Sequence, residues 1–529
     1  MTFSCSFLSR IFAVTFIAIA AVIWVFVQGE FYVQGNISWL TISAQRLLEG
    51  KDLLDHAYDN NPPLSILIYI PAVFLSDIFD LPIYRAIFVF TSLMITAACF
   101  VTWQILKRID NLTSGERLLV ITAFFLSVTI AASIYSSERE HYIAIWLLPF
   151  VLCQYCVTEK IKLPPFLQLI ALSLGAISVL IKPNFGIVPV AMILMRMVQN
   201  KVFFSVLKDR DFLVLCAATL GYISSIIVFF KSYAFVIFPD AVALYFGSPA
   251  PFERLYENAV WPLSLFGCAL FVEALFFSKR SRAQKSFILT LYLCAGFALT
   301  GYITQAKGFG YHLLPAYVFL ITASSLSVFH LCALIKPGAY KMQTAISFFF
   351  ILLPILVFIP WSNLTLPTHS AIKNAPLSRY LAENCPAPCS YYIFHHTVEM
   401  VNPTALYMDY DHATRFSGFW FLPKIIEEEF TGDTQKALKM KRRFTSYVVE
   451  DLEFHKPSIL LIAKDLPVEH YGKFDFIEYF ADDQSFHSLI EDHYKKEPDT
   501  ITIDFSFYYS LKPYSLKQGE YDVYKRVTP

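Results

Sequence analysis

The stretch SSEREHYIAIWLLPFVLCQYC, residues 136–156, decides the fold. Four ionisable residues, Glu138 to His141, stand directly before an apolar run that continues to residue 157. Such a run is near the length that crosses a bilayer, and charged groups at its end are costly unless they face water or a partner. The stretch therefore predicts a membrane helix with a candidate site at one end.

The composition extends this prediction to most of the chain. Of the 529 residues, 56% are hydrophobic, 17% are aromatic and 16% are charged, against about 25% charged in a typical soluble protein. The 42 Lys and Arg residues balance 42 Asp and Glu residues, which removes any global electrostatic reason for binding nucleic acid. We therefore expect a protein largely dissolved in lipid, and we expect neither a soluble enzyme nor a nucleic-acid partner.

Apolar runs of similar length recur upstream and downstream. They predict about eleven spans, at 8–28, 85–106, 117–135, 142–157, 166–181, 184–199, 212–230, 260–277, 286–304, 312–335 and 343–361. The first run has no convincing cleavage site and is interpreted as an uncleaved signal anchor. The shorter run 64–77 contains Pro71 and is predicted to be an interfacial helix.

Positive charge orients this arrangement. If 64–77 does not span and the N-terminus is cytoplasmic, the Lys- and Arg-rich short loops all fall on the cytoplasmic side, as the positive-inside tendency requires. In a bacterium, which would place the protein in the inner membrane, the opposite face is periplasmic. It would hold the first loop, residues 29–84, a stretch at 231–259 and everything after about residue 362.

The composition changes at about residue 362, where charged runs and alternating strand-like segments begin. We predict strands at 390–394, 458–463, 500–507 and 520–526, and helices at 376–384, 434–453 and 484–494. The predicted fold is thus an all-α polytopic membrane bundle, residues 1–361, followed by a soluble α/β domain, residues 362–529. Cys385 and Cys389 could form a disulfide if this domain faces an oxidising compartment.

Polar residues at the predicted periplasmic face form the candidate site. In the first loop, Asp59, Asn60 and Asn61 precede Pro62 and Pro63, which are expected to fix an extended backbone. A carboxylate in such a pocket could remove a proton from a hydroxyl, but Asp59 and the asparagines could equally cap the turn into the next helix.

Three further polar groups are predicted at the same face. In SSEREHY, Arg139 suits a phosphate, with Glu138 or Glu140 orienting it or binding a metal; the alternative is a solvated loop of ion pairs. Two lysines at span ends, in VLIKPNFG and TQAKGFGYHLLP, could bind phosphate with help from a nearby Tyr or His, or could simply reach toward water. These residues are Lys182, Lys307, Tyr311 and His312. No P-loop, Rossmann fingerprint, zinc spacing or nucleophile elbow is present in the sequence.

The order of these motifs resembles that of membrane glycosyltransferases of the C type (GT-C fold). This superfamily includes protein O-mannosyltransferases, aminoarabinose transferases that act on lipid A, and oligosaccharyltransferases. The similarity rests on Trp39 followed by RLLEG at 46–50, NPPL at 61–64, REH at 139–141, KPN at 182–184 and KGFGYH at 307–312, and it covers most of residues 1–335. More narrowly, these motifs resemble a bacterial subgroup of the superfamily.

The resemblance implies a polyprenyl-phosphate sugar as donor and a glycan, lipid or protein of the cell envelope as acceptor. It implies inverting transfer, in which a carboxylate deprotonates the acceptor hydroxyl while cations stabilise the departing phosphate. The implied base is Asp59, with Glu138 and Glu140 as alternatives, and these carboxylates could also hold a divalent metal ion. The implied phosphate-binding residues are Arg139, His141, Lys182, Lys307, Tyr311 and His312, and the implied substrate pocket is Asn36, Trp39, Asn60 and Asn61.

One position departs from the family pattern. The family usually has an acidic residue just after the first span, where this chain has Asn36, and asparagine cannot act as a general base. A non-catalytic envelope-assembly protein is therefore one alternative function. A transporter or flippase of a lipid-linked or small polar substrate is another, although the charges are predicted to cluster at one face and not at the midplane.

Overall fold

The structure is a computed structural model, and it describes residues 5–201, 205–246, 250–276, 278, 280–335, 346, 348, 352–353, 355, 366–385, 388–395, 401–432, 434–464, 466–468, 472–504 and 518–527. The chain forms two compact units. We call the first the helical unit; it comprises Met1–Glu30, Ile87–Ser225 and Pro249–Leu364. We call the second the mixed unit; it comprises Phe31–Ala86, Ile226–Ser248 and Thr365–Pro529. The predicted boundary between residues 361 and 362 stays a prediction.

Long apolar helices dominate the helical unit, because a helix pairs the backbone groups of an apolar segment within the segment itself. The α-helices that lie in this unit or enter it are Cys5–Phe26, Ile83–Leu106, Ser114–Val128, Arg139–Thr158, Pro165–Ile181, Ile187–Asn200, Arg210–Phe229, Phe252–Phe276, Arg282–Gln305 and Leu314–Ile335. Short 3-10 helices join several of them, at Gln28–Glu30, Ser133–Tyr135, Pro183–Gly186, Ser205–Lys208 and Gly310–Leu313.

Seven helices of the described part of the chain are long and apolar enough to cross a membrane. They are Ser9–Glu30, Ile83–Leu106, Arg139–Thr158, Arg210–Phe229, Phe252–Leu275, Arg282–Gln305 and Gly310–Cys332. The predicted spans 166–181 and 184–199 are helical but shorter, and the helix in 117–135 ends at Val128, before Ser133 takes a left-handed backbone with φ 50°. The predicted span 343–361 lies almost wholly outside the described residues, so the count of about eleven stays a prediction.

Two of these helices form the interior of the helical unit. Within their most apolar stretches, 94% of residues are buried in Arg139–Thr158 and 89% in Gly310–Cys332, whereas none are buried in Arg210–Phe229. The two interior helices pack against each other and against Ser114–Val128. Charged residues at the start of an interior helix are therefore enclosed by protein, while the outer helices present apolar surface.

The mixed unit combines helices with a six-stranded sheet. Its α-helices are Gly35–Leu48, Leu53–His56, Leu64–Leu67, Ile70–Phe79, Phe238–Asp240, His369–Lys373, Pro376–Asn384, Val401–Met408, Leu422–Thr431, Thr434–His455, Phe476–Phe480 and Gln484–His493, with π-helices at Tyr233–Ile237 and Ala241–Phe246. The strands are β1 Ser390–Phe394, β2 Asp411–His412, β3 Ile459–Ala463, β4 Leu466–Val468, β5 Gly472–Phe474, β6 Tyr494–Lys496, β7 Ile501–Asp504 and β8 Gln518–Arg526.

The sheet is mixed, with strand order β2-β1-β3-β8-β6, and β7 also pairs with β8. Strand β1 runs parallel to β2 and β3, while β8 runs antiparallel to β3, β6 and β7. All five residues of β3 are buried, as expected for a central strand covered on both faces. Strands β4 and β5 form a separate antiparallel pair.

Residues of the first loop pack against the C-terminal residues within the mixed unit. The buried Arg46 donates hydrogen bonds to the carbonyl oxygens of His56, His412 and Thr414, at 2.7, 2.8 and 2.8 Å. The carboxylate of Asp240 accepts hydrogen bonds from the Tyr58 hydroxyl and from Arg443. Burial beside Asp240 raises the pKa of Tyr58, so its hydroxyl stays protonated and donates.

Most predicted elements of the C-terminal part occur within one or two residues of their predicted ends, and the segment 64–77 contains the helix Leu64–Leu67 and most of the helix Ile70–Phe79. The disulfide Cys385–Cys389 is present. The prediction of an extended backbone at both prolines was wrong for Pro63, which has helical angles of φ −52° and ψ −33° directly before the helix Leu64–Leu67. A proline fits the start of a helix because its φ is already helical and no backbone N–H is needed there.

Candidate functional site

Three predicted side chains meet inside the helical unit. The Lys182 ammonium forms an ion pair with Glu140 Oε1 and lies 2.9 Å from His312 Nε2. His312 Nε2 is in turn 3.3 Å from Glu140 Oε1. Glu140 is fully buried and His312 is 2% exposed, so the three groups interact in a medium that screens charge far less than water does. We call Glu140, Lys182 and His312 the Lys182 cluster.

The local chain path explains how the Lys182 cluster forms. Glu140 lies in the first turn of the interior helix Arg139–Thr158. Lys182 has an extended backbone between the helix Pro165–Ile181 and a 3-10 helix that begins at Pro183, since proline prevents the first helix from continuing. His312 lies on the 3-10 helix Gly310–Leu313, directly before Leu314–Ile335. All three are thus at helix ends, as their sequence positions indicated.

The rings of Tyr311 and His312 lie beside the ammonium of Lys182. Lys182 Nζ is 5.9 Å from the centre of the Tyr311 ring, and the Tyr311 and His312 rings meet edge to face at 4.6 Å. Burial lowers the pKa of Lys182 to about 8; Arg139 adds to the shift, while the larger effect of Glu140 opposes it. Lys182 is therefore mainly protonated at neutral pH and can act as a cation.

Sequence reasoning missed a second cationic pair, formed by Arg254 and Lys307. The guanidinium of Arg254 lies 4.6 Å from the centre of the Phe309 ring, and Phe309 meets His312 at 5.6 Å. Burial and the nearby Arg254 lower the pKa of Lys307 to about 8. Arg254 lies in the stretch 231–259 that is predicted to face the periplasm, and in the structure it is in the first turn of the apolar helix Phe252–Phe276. A charged residue at the start of an apolar run was the signal that could have found it.

Gly308 allows Arg254 to approach the turn beside Lys307. Its φ of +65° is in the left-handed region, and a Cβ atom there would lie 2.8 Å from Arg254 Cγ and 3.2 Å from the Arg254 carbonyl carbon and oxygen. The side-chain amide of Asn258 donates to the carbonyl oxygen of Gly308 at 3.0 Å and fixes the turn from the same helix. Only glycine meets both requirements without strain.

Two buried polar atoms of the Lys182 cluster could each form a further hydrogen bond. Glu140 Oε2 and His312 Nδ1 are buried, and neither has a hydrogen-bond partner within the described residues. Buried polar atoms are rarely left unsatisfied without a functional reason or a bound molecule. The arrangement can therefore accept a small polar group, with cationic and imidazole donors already in place.

The neighbours of Glu140 in REH differ in role. Glu138 and Arg139 are buried, and Arg139 is close enough to act electrostatically on Lys182 and His312. His141 is engaged at both ring nitrogens: Nδ1 accepts from the Ser137 backbone N–H at 3.0 Å, and Nε2 lies 2.6 Å from the Val128 carbonyl oxygen. These bonds orient the entry to the helix and leave His141 no free nitrogen for a phosphate, contrary to its predicted role.

Asp59 belongs to the mixed unit and is held in a fixed orientation. Its Oδ2 accepts from Trp39 Nε1 at 2.8 Å, and its Oδ1 accepts from the backbone N–H and side-chain amide of Asn61 at 2.7 and 2.6 Å. Asp59 is 4% exposed. Both predicted roles are compatible with these bonds, because the Asn61 contacts form the turn while the indole aims the carboxylate.

Of the other residues predicted to line the substrate pocket, Trp39 is buried, whereas Asn36 and Asn60 are half-buried. Trp39 is buried and acts as a donor to Asp59, so it supports the carboxylate and does not line an open pocket. Asn36 lies half-buried in the first turn of Gly35–Leu48, and Asn60 is half-buried between Asp59 and Asn61. Within the described residues, no group of three or more His, Cys, Asp or Glu side chains is arranged to hold a metal ion.

No protein-family model and no curated protein matches the sequence. Among solved structures, the chain is similar to the crystal structure of ArnT from Cupriavidus metallidurans bound to undecaprenyl phosphate, with a TM-score of 0.45 and 12% sequence identity over 75% of this chain and 85% of ArnT. The apo crystal structure of ArnT gives a TM-score of 0.41 and 11% identity over 75% of this chain and 84% of ArnT. Because these values are low, the function proposed next rests on the chain's own residues.

Proposed function

We propose that the protein is a membrane glycosyltransferase that moves a sugar from a polyprenyl-phosphate donor to a cell-envelope acceptor. The observation that carries this proposal is the Lys182 cluster, which lies at the ends of apolar helices. Within the described residues, its buried atoms Glu140 Oε2 and His312 Nδ1 have no hydrogen-bond partner. The cations Arg254 and Lys307 lie near it. A polyprenyl phosphate combines one anionic group with a long apolar chain. It therefore needs cationic donors within reach of lipid-facing surface.

The reaction we propose is an inverting transfer. The acceptor hydroxyl oxygen forms a bond to the anomeric carbon of the sugar, and its proton passes to a carboxylate. The bond between the anomeric carbon and the phosphate oxygen breaks, and the electron pair leaves with the polyprenyl phosphate. Lys182, His312, Arg139, Arg254 and Lys307 would stabilise the charge that develops on that phosphate, which is the larger contribution to the rate.

Asp59 is the better candidate for the base, and Glu140 for a residue that positions the cations. Glu140 is committed to Lys182 through Oε1, and its loss of charge would leave the buried ammonium unbalanced. Asp59 accepts hydrogen bonds from Trp39 and Asn61, which hold its carboxylate in a defined orientation. An oriented carboxylate of this kind is suited to accept a proton from an incoming hydroxyl.

Two features support a periplasmic active face. Disulfides persist in oxidising compartments, and the mixed unit contains the Cys385–Cys389 disulfide. The Lys- and Arg-rich short loops would face the cytoplasm in this orientation. The protein would then be a multi-pass protein of a bacterial inner membrane, with its N-terminus in the cytoplasm.

An Asp59→Asn variant tests the proposal, because it keeps the shape of the side chain and removes its basicity. Membranes that contain the chain would be given a panel of radiolabelled sugars linked to undecaprenyl phosphate, and release of the label from the lipid would be measured. We expect release with at least one sugar for the wild type, and a loss of about 100-fold or more in Asp59→Asn.

Asp77→Asn is the matched control, since Asp77 is an exposed aspartate of the same unit. It should transfer at the wild-type rate and keep the wild-type melting temperature. Asp59→Asn should still fold but melt at a lower temperature, because its amide nitrogen cannot accept one of the hydrogen bonds that Trp39 and Asn61 donate to Asp59. Wild-type transfer by Asp59→Asn would remove Asp59 from the role of base. A wild-type chain that releases label from no sugar in the panel, while it binds no polyprenyl phosphate, would contradict the proposed function.

A further inference from the structure

A pocket of about 460 Å³ lies at the ends of two long helices of the helical unit. The helix Ile83–Leu106 ends directly before one wall of the pocket, and the helix Arg139–Thr158 ends shortly before the other. Glu140 of the Lys182 cluster is at the opposite end of Arg139–Thr158, about 27 Å away along the helix axis, so the two sites are separate. We call it the 107–162 pocket; it is lined by Lys107, Arg108, Asp110, Asn111, Ile161 and Lys162.

Hydrogen bonds and buried side chains hold both walls of the 107–162 pocket. On one wall, Arg117 donates to the carbonyl oxygen of Ile109 at 2.9 Å, and the side chains of Ile109 and Leu112 are buried. On the other wall, the backbone N–H of Ile161 donates to the carbonyl oxygen of Cys156 at 2.7 Å, which closes the end of the helix. The shape of the pocket is therefore set by the fold.

The charged side chains that line the pocket are not paired. Within the described residues, Lys107, Arg108 and Lys162 form no ion pair and no side-chain hydrogen bond. The same holds, within that part of the chain, for the carboxylate of Asp110. All four side chains are exposed. The pocket thus offers three cations and one carboxylate to a ligand.

Two further carboxylates of the same connecting segments bond elsewhere. Glu159 accepts a hydrogen bond from the Ser286 hydroxyl at 2.5 Å. Glu116 is buried and bonds to His330. Lys160, which is exposed, adds another positive charge to the segment that follows Glu159. The surroundings of the pocket therefore favour an anion.

The position of the pocket suits the head group of a membrane lipid. Ile83–Leu106 and Arg139–Thr158 are both long and apolar enough to cross a membrane, so their ends are expected near the lipid phosphates. Lys and Arg side chains at this depth attract anionic lipids. The Asp110 carboxylate cannot donate to a phosphate, but it and the side-chain carbonyl of Asn111 can accept hydrogen bonds from hydroxyl groups. A ligand with hydroxyls beside its phosphate would use both kinds of group.

We infer that the 107–162 pocket binds a glycerol phosphate group. Lys107, Arg108 and Lys162 would contact the phosphate, and Asp110 and Asn111 would accept hydrogen bonds from the glycerol hydroxyls. This group is the head group of phosphatidylglycerol and also occurs free as glycerol 3-phosphate, and the position at two helix ends favours the lipid. The inference is independent of the proposed glycosyl transfer.

Purified full-length protein in detergent provides the test, with dissociation constants measured by lipid titration and native mass spectrometry. The probes are phosphatidylglycerol, phosphatidylmethanol, phosphatidylcholine and glycerol 3-phosphate. Phosphatidylmethanol has the charge of phosphatidylglycerol without its hydroxyls, and phosphatidylcholine has no net charge. We expect phosphatidylglycerol to bind roughly tenfold more tightly than phosphatidylcholine and about threefold more tightly than phosphatidylmethanol.

The triple variant Lys107→Gln, Arg108→Gln, Lys162→Gln should lose the preference over phosphatidylcholine. Lys208→Gln, which alters an exposed lysine of the same unit outside the pocket, should keep it. Asp110→Ala should lower the preference over phosphatidylmethanol. If the triple variant does not fold, Lys162→Gln alone, which lies outside both helices, should lower the preference over phosphatidylcholine about threefold.

Three results would go against the inference. If the triple variant keeps the preference, or if the wild type has none and also fails to bind glycerol 3-phosphate, the inference is overturned and the cations serve only to orient the chain in the membrane. Equal binding of phosphatidylglycerol and phosphatidylmethanol would overturn the assignment of the hydroxyls. Binding of glycerol 3-phosphate by a wild type that has no lipid preference would overturn the lipid as the source of the group.

Discussion

At the scale of single residues, the central feature is a lysine buried beside a glutamate. Replacing one partner of such a pair leaves an uncompensated buried charge, whereas replacing both with neutral groups of similar shape costs much less. Lys182 and Glu140 are also bonded to His312, so the pair positions donors for a ligand as well as satisfying its own charges. Stability and binding can therefore be separated by substitution.

We expect Lys182→Met to lower the free energy of unfolding by about 3–5 kcal/mol, because Glu140 is left charged and buried. The double variant Lys182→Met with Glu140→Gln should recover most of this loss. Neither variant should bind undecaprenyl phosphate. Thermal melting in detergent and lipid titration measure the two effects, with Lys208→Met as the control. A double variant that is no more stable than Lys182→Met would contradict the importance of the ion pair.

Lys307, like Lys182, is expected to lose its charge near pH 8 and so to limit phosphate binding at high pH. Its pKa is about 8 in the folded protein, below the ordinary value of 10.5, so raising the pH through 8 removes its charge. Phosphate binding should therefore weaken as the pH rises from 7 to 9. The loss of this charge should not lower the stability of the fold. Between about pH 8 and pH 10.5, Lys307 is protonated in the unfolded chain and neutral in the folded protein, so raising the pH favours the folded state.

Lys307→Arg tests this pH limit, since arginine stays protonated throughout this range. We expect the variant to keep more of its undecaprenyl phosphate binding at pH 9 than the wild type does, with Lys208→Arg behaving like the wild type. If binding by the wild type is unchanged between pH 7 and pH 9, Lys307 does not contribute its charge to the site.

At the scale of elements, helix ends build the site, and the turn at Gly308 is the most constrained of them. Gly308→Ala adds a Cβ atom 2.8 Å from Arg254 Cγ and places a non-glycine residue at φ +65°. We expect a loss of about 1–2 kcal/mol in stability from the backbone alone. Weaker undecaprenyl phosphate binding should accompany it, because Arg254 and Lys307 must shift.

Gly267→Ala is the matched control for the turn, because Gly267 lies within the helix Phe252–Phe276 and its Cβ would meet nothing within 4 Å. It should be neutral or slightly stabilising, as alanine favours helix. A Gly308→Ala variant that melts and binds like Gly267→Ala would show that the turn tolerates a side chain.

Single helices and strands are the part of the fold that the sequence predicts best. Strands β1, β3 and β8 and the helices Pro376–Asn384 and Thr434–His455 were predictable, since each has its own hydrophobic period and ends at a turn signal. The positions of Lys182 and His312 at helix ends were predictable for the same reason. The contact of Asp240 with Tyr58 and Arg443 was not, because it joins three segments that are far apart in the sequence. His141 was misjudged because both of its bonds are to backbone atoms, which no residue pattern reveals.

At the scale of the whole molecule, the orientation in the membrane can be tested directly. Single cysteines would be placed at two exposed positions, Lys162→Cys in a predicted cytoplasmic loop and Asp492→Cys in the mixed unit. We expect a membrane-impermeant maleimide to label Asp492→Cys in spheroplasts and Lys162→Cys only after lysis, with the wild type reporting the background of native cysteines. The reverse pattern would place the mixed unit in the cytoplasm and contradict a periplasmic active face.

The proposed donor site is tested most directly by an experimental structure of the full-length protein with undecaprenyl phosphate bound. We expect the phosphate to lie within about 3 Å of Lys182 Nζ and His312 Nδ1, with Arg254 and Lys307 turned toward it. A phosphate bound elsewhere, with Glu140, Lys182 and His312 unchanged and out of contact with it, would contradict the assignment of the Lys182 cluster to the donor.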